Sequence, residues 1–177
     1  MIRPDTPLAA RIDSLRNAVV GTLRRCHAGN GDIAGCYFVP GRIEVLGKHT
    51  DYAGGRSLVA AVDRGFVIAS ARRADNVVRV IDSVTGEQVV INTDAAGDAG
   101  TDDGLSIPAW ATYPLTVVRR CTANFPSAKG GADIAFASDL PQAAGLSSSS
   151  ALVVAVFLAV DAVRGISATP EYTAAIR

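Results

Sequence analysis

Chemistry-capable side chains concentrate in two stretches of the chain. Residues 140–163, LPQAAGLSSSSALVVAVFLAVDAV, pass from a Pro/Gly-marked loop of small residues directly into a long apolar run. The pattern predicts a phosphate cradle at the mouth of a buried helix. Gly145 can take backbone conformations closed to residues with a β-carbon, and Ser147, Ser148, Ser149 and Ser150 supply hydroxyls and unpaired N–H groups where the helix starts. Orphan amides and the positive end of the helix dipole favour an anion at that point. Serine is also a preferred N-cap, so the same residues equally suit the plain capping of a core helix. The loop is not of the Walker type, because no lysine follows the glycine at the required place.

The second stretch, GKHTDYAGG at 47–55, crowds Lys48, His49, Thr50, Asp51 and Tyr52 into one short turn. Its composition suits either a binding loop or an ordinary solvated turn. Just before it, RIEVL at 42–46 alternates as a strand does. Ile43 and Val45 belong to one face, and Arg42 and Glu44 to the other, which points Arg42 away from the apolar side.

The elements that must carry these two stretches follow from periodicity and punctuation. Asp5-Thr6-Pro7 starts a helix in which Leu8, Ile12, Leu15, Val19 and Leu23 repeat at helical spacing; Gly29, Gly31 and Gly35 end it. Extended segments are predicted at 36–39 and 42–46, interrupted by Pro40-Gly41, and again at 65–71, 77–82 and 87–92, while 57–62 is apolar and small. Thr85-Gly86 suggests a hairpin between the last two. Residues 93–104 read as an exposed connection. Residues 107–125 are loosely helical, with Trp110, Leu115, Val118 and Cys121 on the pattern and Pro114 bending or restarting it. A strand at 132–137 feeds the serine loop. Thr169-Pro170-Glu171 opens a last helix with too few residues after it to be stable by itself. Strands interspersed with three or four helices make the chain α+β, with helices over one face of a mixed or mostly antiparallel sheet.

Composition bounds the class of partner. The 177 residues suit one domain with a sizeable core, 49% of them being hydrophobic. Lys plus Arg number 17, as do Asp plus Glu, so no broad basic surface exists for nucleic acid. The longest apolar run, 151–160, stops at Asp161, short of the roughly 18 residues that a membrane span needs. The N-terminus MIRPDTPLAARID has no apolar core of a secretory signal. Cys26, Cys36 and Cys121 are odd in number and widely spaced, and His27 and His49 complete no ligand spacing with them. Reduced thiols in a cytoplasmic protein without a structural metal are expected.

Together, PGRIEVLGKHTDYAGG at 40–55 and LPQAAGLSSSSAL at 140–152 resemble the motifs of one family. The first is similar to the signature of galactokinases, the second to the phosphate-binding motif of the GHMP small-molecule kinases. Their order and separation also fit, so the resemblance covers most of the chain from about Tyr37 to Gly165. It implies an amino-terminal α/β domain of the ribosomal-protein-like type filling 1–177, with a ferredoxin-like carboxy-terminal domain absent. It implies transfer of the γ-phosphate of ATP to a monosaccharide, galactose or a related sugar, at the anomeric hydroxyl, with Mg²⁺. The arginine matching Arg42 would stabilise the transferring phosphoryl group or the ionised base. His49 and Asp51 would hold sugar hydroxyls, with Lys48 beside them; Gly145, Leu146, Ser147, Ser148 and Ser149 would surround the nucleotide phosphates, and Ser149 would reach Mg²⁺.

The chain departs from that pattern in places. Lys48 stands where galactokinases carry a glutamate that contacts the sugar, Glu44 where they usually have asparagine, and Ala53 in place of another asparagine. A cation cannot reproduce the hydrogen bonds of an acceptor, so an anionic or otherwise altered sugar becomes a candidate, as does a Lys48–Glu44 pair. The family's catalytic aspartate and its glycine-rich third motif lie beyond these 177 residues. Catalysis is therefore expected of a longer parent, the fragment is expected to be inactive, and the face left by the missing domain is expected to drive self-association. The alternative function is a non-catalytic sugar- and nucleotide-binding sensor related to galactokinase.

Overall fold

Apolar residues at helical spacing fold as α1, Pro7–Cys26, with Pro7 in the first turn, where its missing N–H costs nothing. The computed structural model describes residues 6–26, 32–47, 51–94, 108–141 and 145–176. After α1 come β1 (Ile33–Leu46), β2 (Leu58–Arg73), β3 (Val77–Asp82), β4 (Gln88–Asn92), α2 (Thr112–Asn124), β5 (Gly131–Ser138), α3 (Ser148–Arg164) and α4 (Pro170–Ala175). The five strands form one sheet in the order β1-β2-β5-β3-β4. All neighbours are antiparallel except β3 and β5, so the sheet is mixed and the chain α+β, as expected.

Helices cover both faces of this sheet, where one covered face was expected. Val67, Ala69, Ala135 and Ala137 pack under α1, while Phe66, Ile68, Ile134 and Phe136 point the other way into a core shared with α2 and α3. The reason lies in the central strands: β5 is buried along almost its whole length, and strands covered on both sides need apolar or small residues at consecutive positions. One ionic group intrudes. Asp133 of β5 is buried and accepts from Arg73 Nη1 at 3.0 Å and Arg79 Nε at 2.8 Å, while Arg79 Nη2 also donates to the Cys26 carbonyl, tying the end of α1 to β3.

The two short segments expected at 36–39 and 42–46 are one strand. Pro40 sits within it because β1 is the sheet edge, where a missing N–H removes no interior ladder bond, and a register shift between Pro40 and Arg42 absorbs the irregularity. The strand expected at 65–71 likewise begins earlier, at Leu58, taking in most of the apolar stretch before it, and runs to Arg73 as β2. Beyond the shift, the β1–β2 ribbon leaves the sheet, and Ile43 and Val45, which the alternation assigned to an apolar side, are 45% and 52% exposed. Residues 109–111 form a 3-10 turn and the helix restarts at Thr112, so Pro114 falls in its first turn. Cys26, Cys36 and Cys121 are free, and burial pushes the Cys121 thiol up to about 11, well away from reactive thiolate. Among the described residues no helix is long and apolar enough to cross a membrane.

Candidate functional site

The serine loop and the galactokinase-like strand meet through the backbone. The Arg42 N–H donates to the Leu146 carbonyl at 3.1 Å, across more than a hundred residues of sequence. This approach needs glycine at position 41: an added β-carbon would lie 2.6 Å from Leu140 Cδ2 and 2.9 Å from the Leu146 oxygen. Ser138 and Asp139 anchor the other end of the loop. Ser138 Oγ donates to the Gly65 carbonyl at 3.0 Å and accepts from the Leu140 amide, and Asp139 Oδ1 accepts from the Gly65 amide at 2.8 Å.

The loop delivers an open helix mouth. Gly145 has φ +69°, and Ser147 is left-handed at φ 52° and ψ 42°, the one non-glycine residue of positive φ among those described. Ser147 is the N-cap of α3, and its carbonyl accepts from the Ala151 amide at 3.0 Å, yet its side chain makes no capping hydrogen bond. An N-cap hydroxyl bonds the amides ahead from extended backbone; from the left-handed conformation it does not. Plain capping by Ser147 is thus not what the structure shows. Among the described residues no side chain is bonded to the first-turn amides, which lie at the positive end of a helix dipole with no acidic residue in the first turn to meet them.

Ser148 and Ser149 line a cleft of about 820 Å³. From this mouth the cleft passes the end of β5 to the β3–β4 turn. Phe66, Phe136, Trp110, Tyr113 and Leu152 make it apolar and aromatic. The Trp110 ring meets Phe136 edge-on, with centroids 5.0 Å apart at 75°, and its Nε1 donates to Glu87 Oε2 at 3.0 Å. Asp82 and Glu87 supply carboxylates at the β3–β4 turn, and no Lys or Arg lines the cleft among the described residues. The cleft is electrically polar, with amide donors at the α3 mouth and acids at the hairpin.

Of the residues singled out from sequence, Gly145, Leu146, Ser147, Ser148 and Ser149 form the mouth, and Arg42 is bonded to it. Lys48 and His49 lie outside the described residues. Asp51 opens a 3-10 turn, Asp51–Ala53, and its side chain also lies outside them. Sequence reasoning missed the aromatic wall. Trp110 was assigned to a helix face; the usable signal was the chain's single tryptophan, just after Pro108 and three residues before Tyr113.

Comparison with known proteins agrees with this geometry. The galactokinase galactose-binding signature matches residues 27–72, and the model of the GHMP kinases N terminal domain matches residues 112–176. Arg42 lies in the first match and Leu146 in the second, so the backbone bond between them joins the two. The chain belongs to the galactokinase-like GHMP kinases. The chain is 35% identical over 119 residues to a galactokinase of Glaesserella parasuis serovar 5 (strain SH0165), and 34% identical over 119 residues to one of Actinobacillus pleuropneumoniae serotype 5b (strain L20). These alignments cover 67% of this galactokinase-like chain and 29% of each relative, so the chain spans less than a third of their length. Its fold is similar to that of Lactococcus lactis galactokinase complexed with galactose, with a TM-score of 0.64 at 23% identity, covering 88% of this chain and 37% of that one. Methanococcus jannaschii mevalonate kinase gives 0.54 at 18% identity, over 75% of this chain and 41% of that one.

Proposed function

We propose that this chain is the phosphate- and sugar-binding part of a kinase that transfers the γ-phosphate of ATP to a monosaccharide, galactose or a related sugar, at its anomeric hydroxyl. The observation that carries the reading is the Arg42–Leu146 bond, which sets the strand of the galactose signature against the anion-binding mouth. The polarity of the cleft orients the nucleotide. Phosphates are drawn to the α3 amides and repelled by Asp82 and Glu87, so the base lies among Phe66, Phe136 and Trp110. In the transfer, the sugar oxygen bonds to the γ-phosphorus while the bond from that phosphorus to the β–γ bridging oxygen breaks, and ADP leaves. Amides at Ser148 and Ser149 and the Arg42 guanidinium oppose the charge on the transferring group. His49 and Asp51 hold the sugar, and the hydroxyl proton passes to an aspartate contributed by the rest of the full-length protein.

Mg²⁺ fits this site through the nucleotide. Ser149 brings one hard hydroxyl oxygen to the cleft, and among the described residues no group of three or more His, Cys, Asp or Glu could hold an ion, so phosphate oxygens would complete its shell. Bound there, it would neutralise phosphate charge. Lys48 directs the sugar preference toward anionic or otherwise altered hexoses. A cytoplasmic location belongs to the same reading. Exposed Val45, Leu46 and Leu58 at the outer end of the β1–β2 ribbon support self-association of this chain by itself, which light scattering would read as a mass rising with concentration.

The test is the full-length protein with labelled ATP and a panel of galactose, uronates and other hexoses. Phosphorylated sugar, lost in Arg42→Ala, is the expected result. Sugar binding without product would replace the kinase with a sensor. An unchanged sugar ranking in Lys48→Glu would remove Lys48 from specificity.

A further inference from the structure

We infer that Glu87 is a positioning residue of the cleft, holding the Trp110 indole so that the ring forms a fixed wall for the base of a bound nucleotide. The inference rests on the nucleotide reading above. The β3–β4 hairpin fixes the backbone of Glu87: the Asp82 amide donates to the Glu87 carbonyl at 2.9 Å and the Gly86 amide to the Asp82 carbonyl at 2.9 Å. Asp82 spends its own carboxylate on that turn, accepting from the amides of Val84 at 2.8 Å and Thr85 at 3.4 Å. The Glu87 carboxylate does not serve the turn backbone. Its Oε2 takes the Trp110 N–H at 3.0 Å and a longer contact from the Thr85 hydroxyl at 3.5 Å.

A structural role alone accounts poorly for this arrangement. Glu87 is exposed, and a hydrogen bond in contact with water adds little to folding. Orientation is what it does supply. Trp110 sits in a three-residue 3-10 turn, half-buried, and the rotation of an indole about its last side-chain torsion is broad unless something holds it. Phe136 fixes the ring edge and Glu87 fixes its nitrogen. Two contacts at different points of the ring set its plane, and both partners line the cleft. A base stacking on that plane gains from a wall already in place.

The experiment uses the 177-residue chain, in which Trp110 is the single tryptophan. ATP and inorganic tripolyphosphate are titrated by calorimetry into wild type, Glu87→Ala and Glu87→Gln. Glu87→Ala weakens ATP by about fivefold to tenfold and leaves tripolyphosphate within about twofold, because only ATP has a base to meet the indole. Glu87→Gln keeps an acceptor oxygen and stays within about threefold of wild type for ATP. Without ligand, acrylamide quenches the indole more in Glu87→Ala than in Glu87→Gln. In a Trp110→Phe background, Glu87→Ala has no further effect on ATP. Equal weakening of both probes, unchanged ATP affinity in Glu87→Ala, or its full effect in the Trp110→Phe background overturns the role of Glu87. A wild-type chain that binds neither probe overturns the nucleotide reading itself, and this inference with it.

Discussion

The helices α3 and α4 both begin at a hydroxyl residue, and their first turns are built in opposite ways. Thr169 stands before α4 in extended backbone, φ −81° and ψ 150°, and its side chain accepts from the Tyr172 amide. Pro170 has no N–H to satisfy, and Glu171 places a carboxylate in the first turn, where Ser127 Oγ donates to it at 3.0 Å. Ser147 stands before α3 in the left-handed region, caps nothing with its side chain, and is followed by serines and alanine. The first turn of α4 is satisfied by its own chain. That of α3 is not: a left-handed serine costs about 1–2 kcal/mol, its side chain caps no amide, and no acid stands in the first turn, which is the arrangement the proposed phosphate site relies on. Hydroxyl residues at corresponding positions in sequence thus cap one helix and leave the other uncapped by its N-cap side chain.

Gly41→Ala should disturb that contrast most. Its methyl would press on the Leu146 carbonyl and break the bond from the Arg42 amide, so we expect a loss of about 2 kcal/mol in urea unfolding and ATP binding weaker by about tenfold or more. Calorimetry showing wild-type ATP affinity in this variant would separate β1 from the mouth. Thr169→Ala should lower stability by about 1 kcal/mol through the lost cap and leave ATP affinity unchanged. Ser147→Gly should do the reverse to stability, raising it by about 0.5 kcal/mol as the left-handed strain is relieved, while Ser147→Ala should move it by less than about 0.5 kcal/mol because no cap is lost. A cost for Ser147→Ala as large as that for Thr169→Ala would erase the difference between the two starts. The smallest effect concerns pH. A hydrogen bond from its own backbone, then one from Ser127, holds the Glu171 carboxyl below its ordinary 4.5. A depressed folded-state value stabilises in full above 4.5 and is lost as pH falls through the lower value. The thermal stability of wild type should therefore exceed that of Glu171→Gln above that pH, and the two should converge in acid.

Most elements were legible because their signals are local. The helical spacing from Leu8 to Leu23, the Thr85-Gly86 turn with Gly86 at φ +77°, and the Thr169-Pro170 start each act over a few residues. Pro40-Gly41 misled because proline breaks an interior strand but not an edge, and position in the sheet is not a local property. The second covered face was hidden for a related reason: a run such as Ala132–Ala137 fits a strand covered once or twice equally well. In the site, the mouth at Gly145–Ser149 could be read directly. The cleft could not, since Trp110, Glu87 and Phe136 come together only when β5 pairs with β3 and places the hairpin beside it; the Ser83 amide donates to the Phe136 carbonyl at 2.8 Å.

The residues themselves determined a glycine able to turn at 145, a cluster of hydroxyls, an apolar helix behind them, and a first turn without acid. Those are choices of side chain, fixed when the chain is written. The tertiary structure decided that Ser147 turns left-handed instead of capping, that Leu146 is bound by a strand from the other half of the chain, and that an aromatic wall continues the mouth of α3. Those depend on which strands become neighbours. Strand order is set by burying two faces of the whole sheet at once, a constraint that no short segment contains.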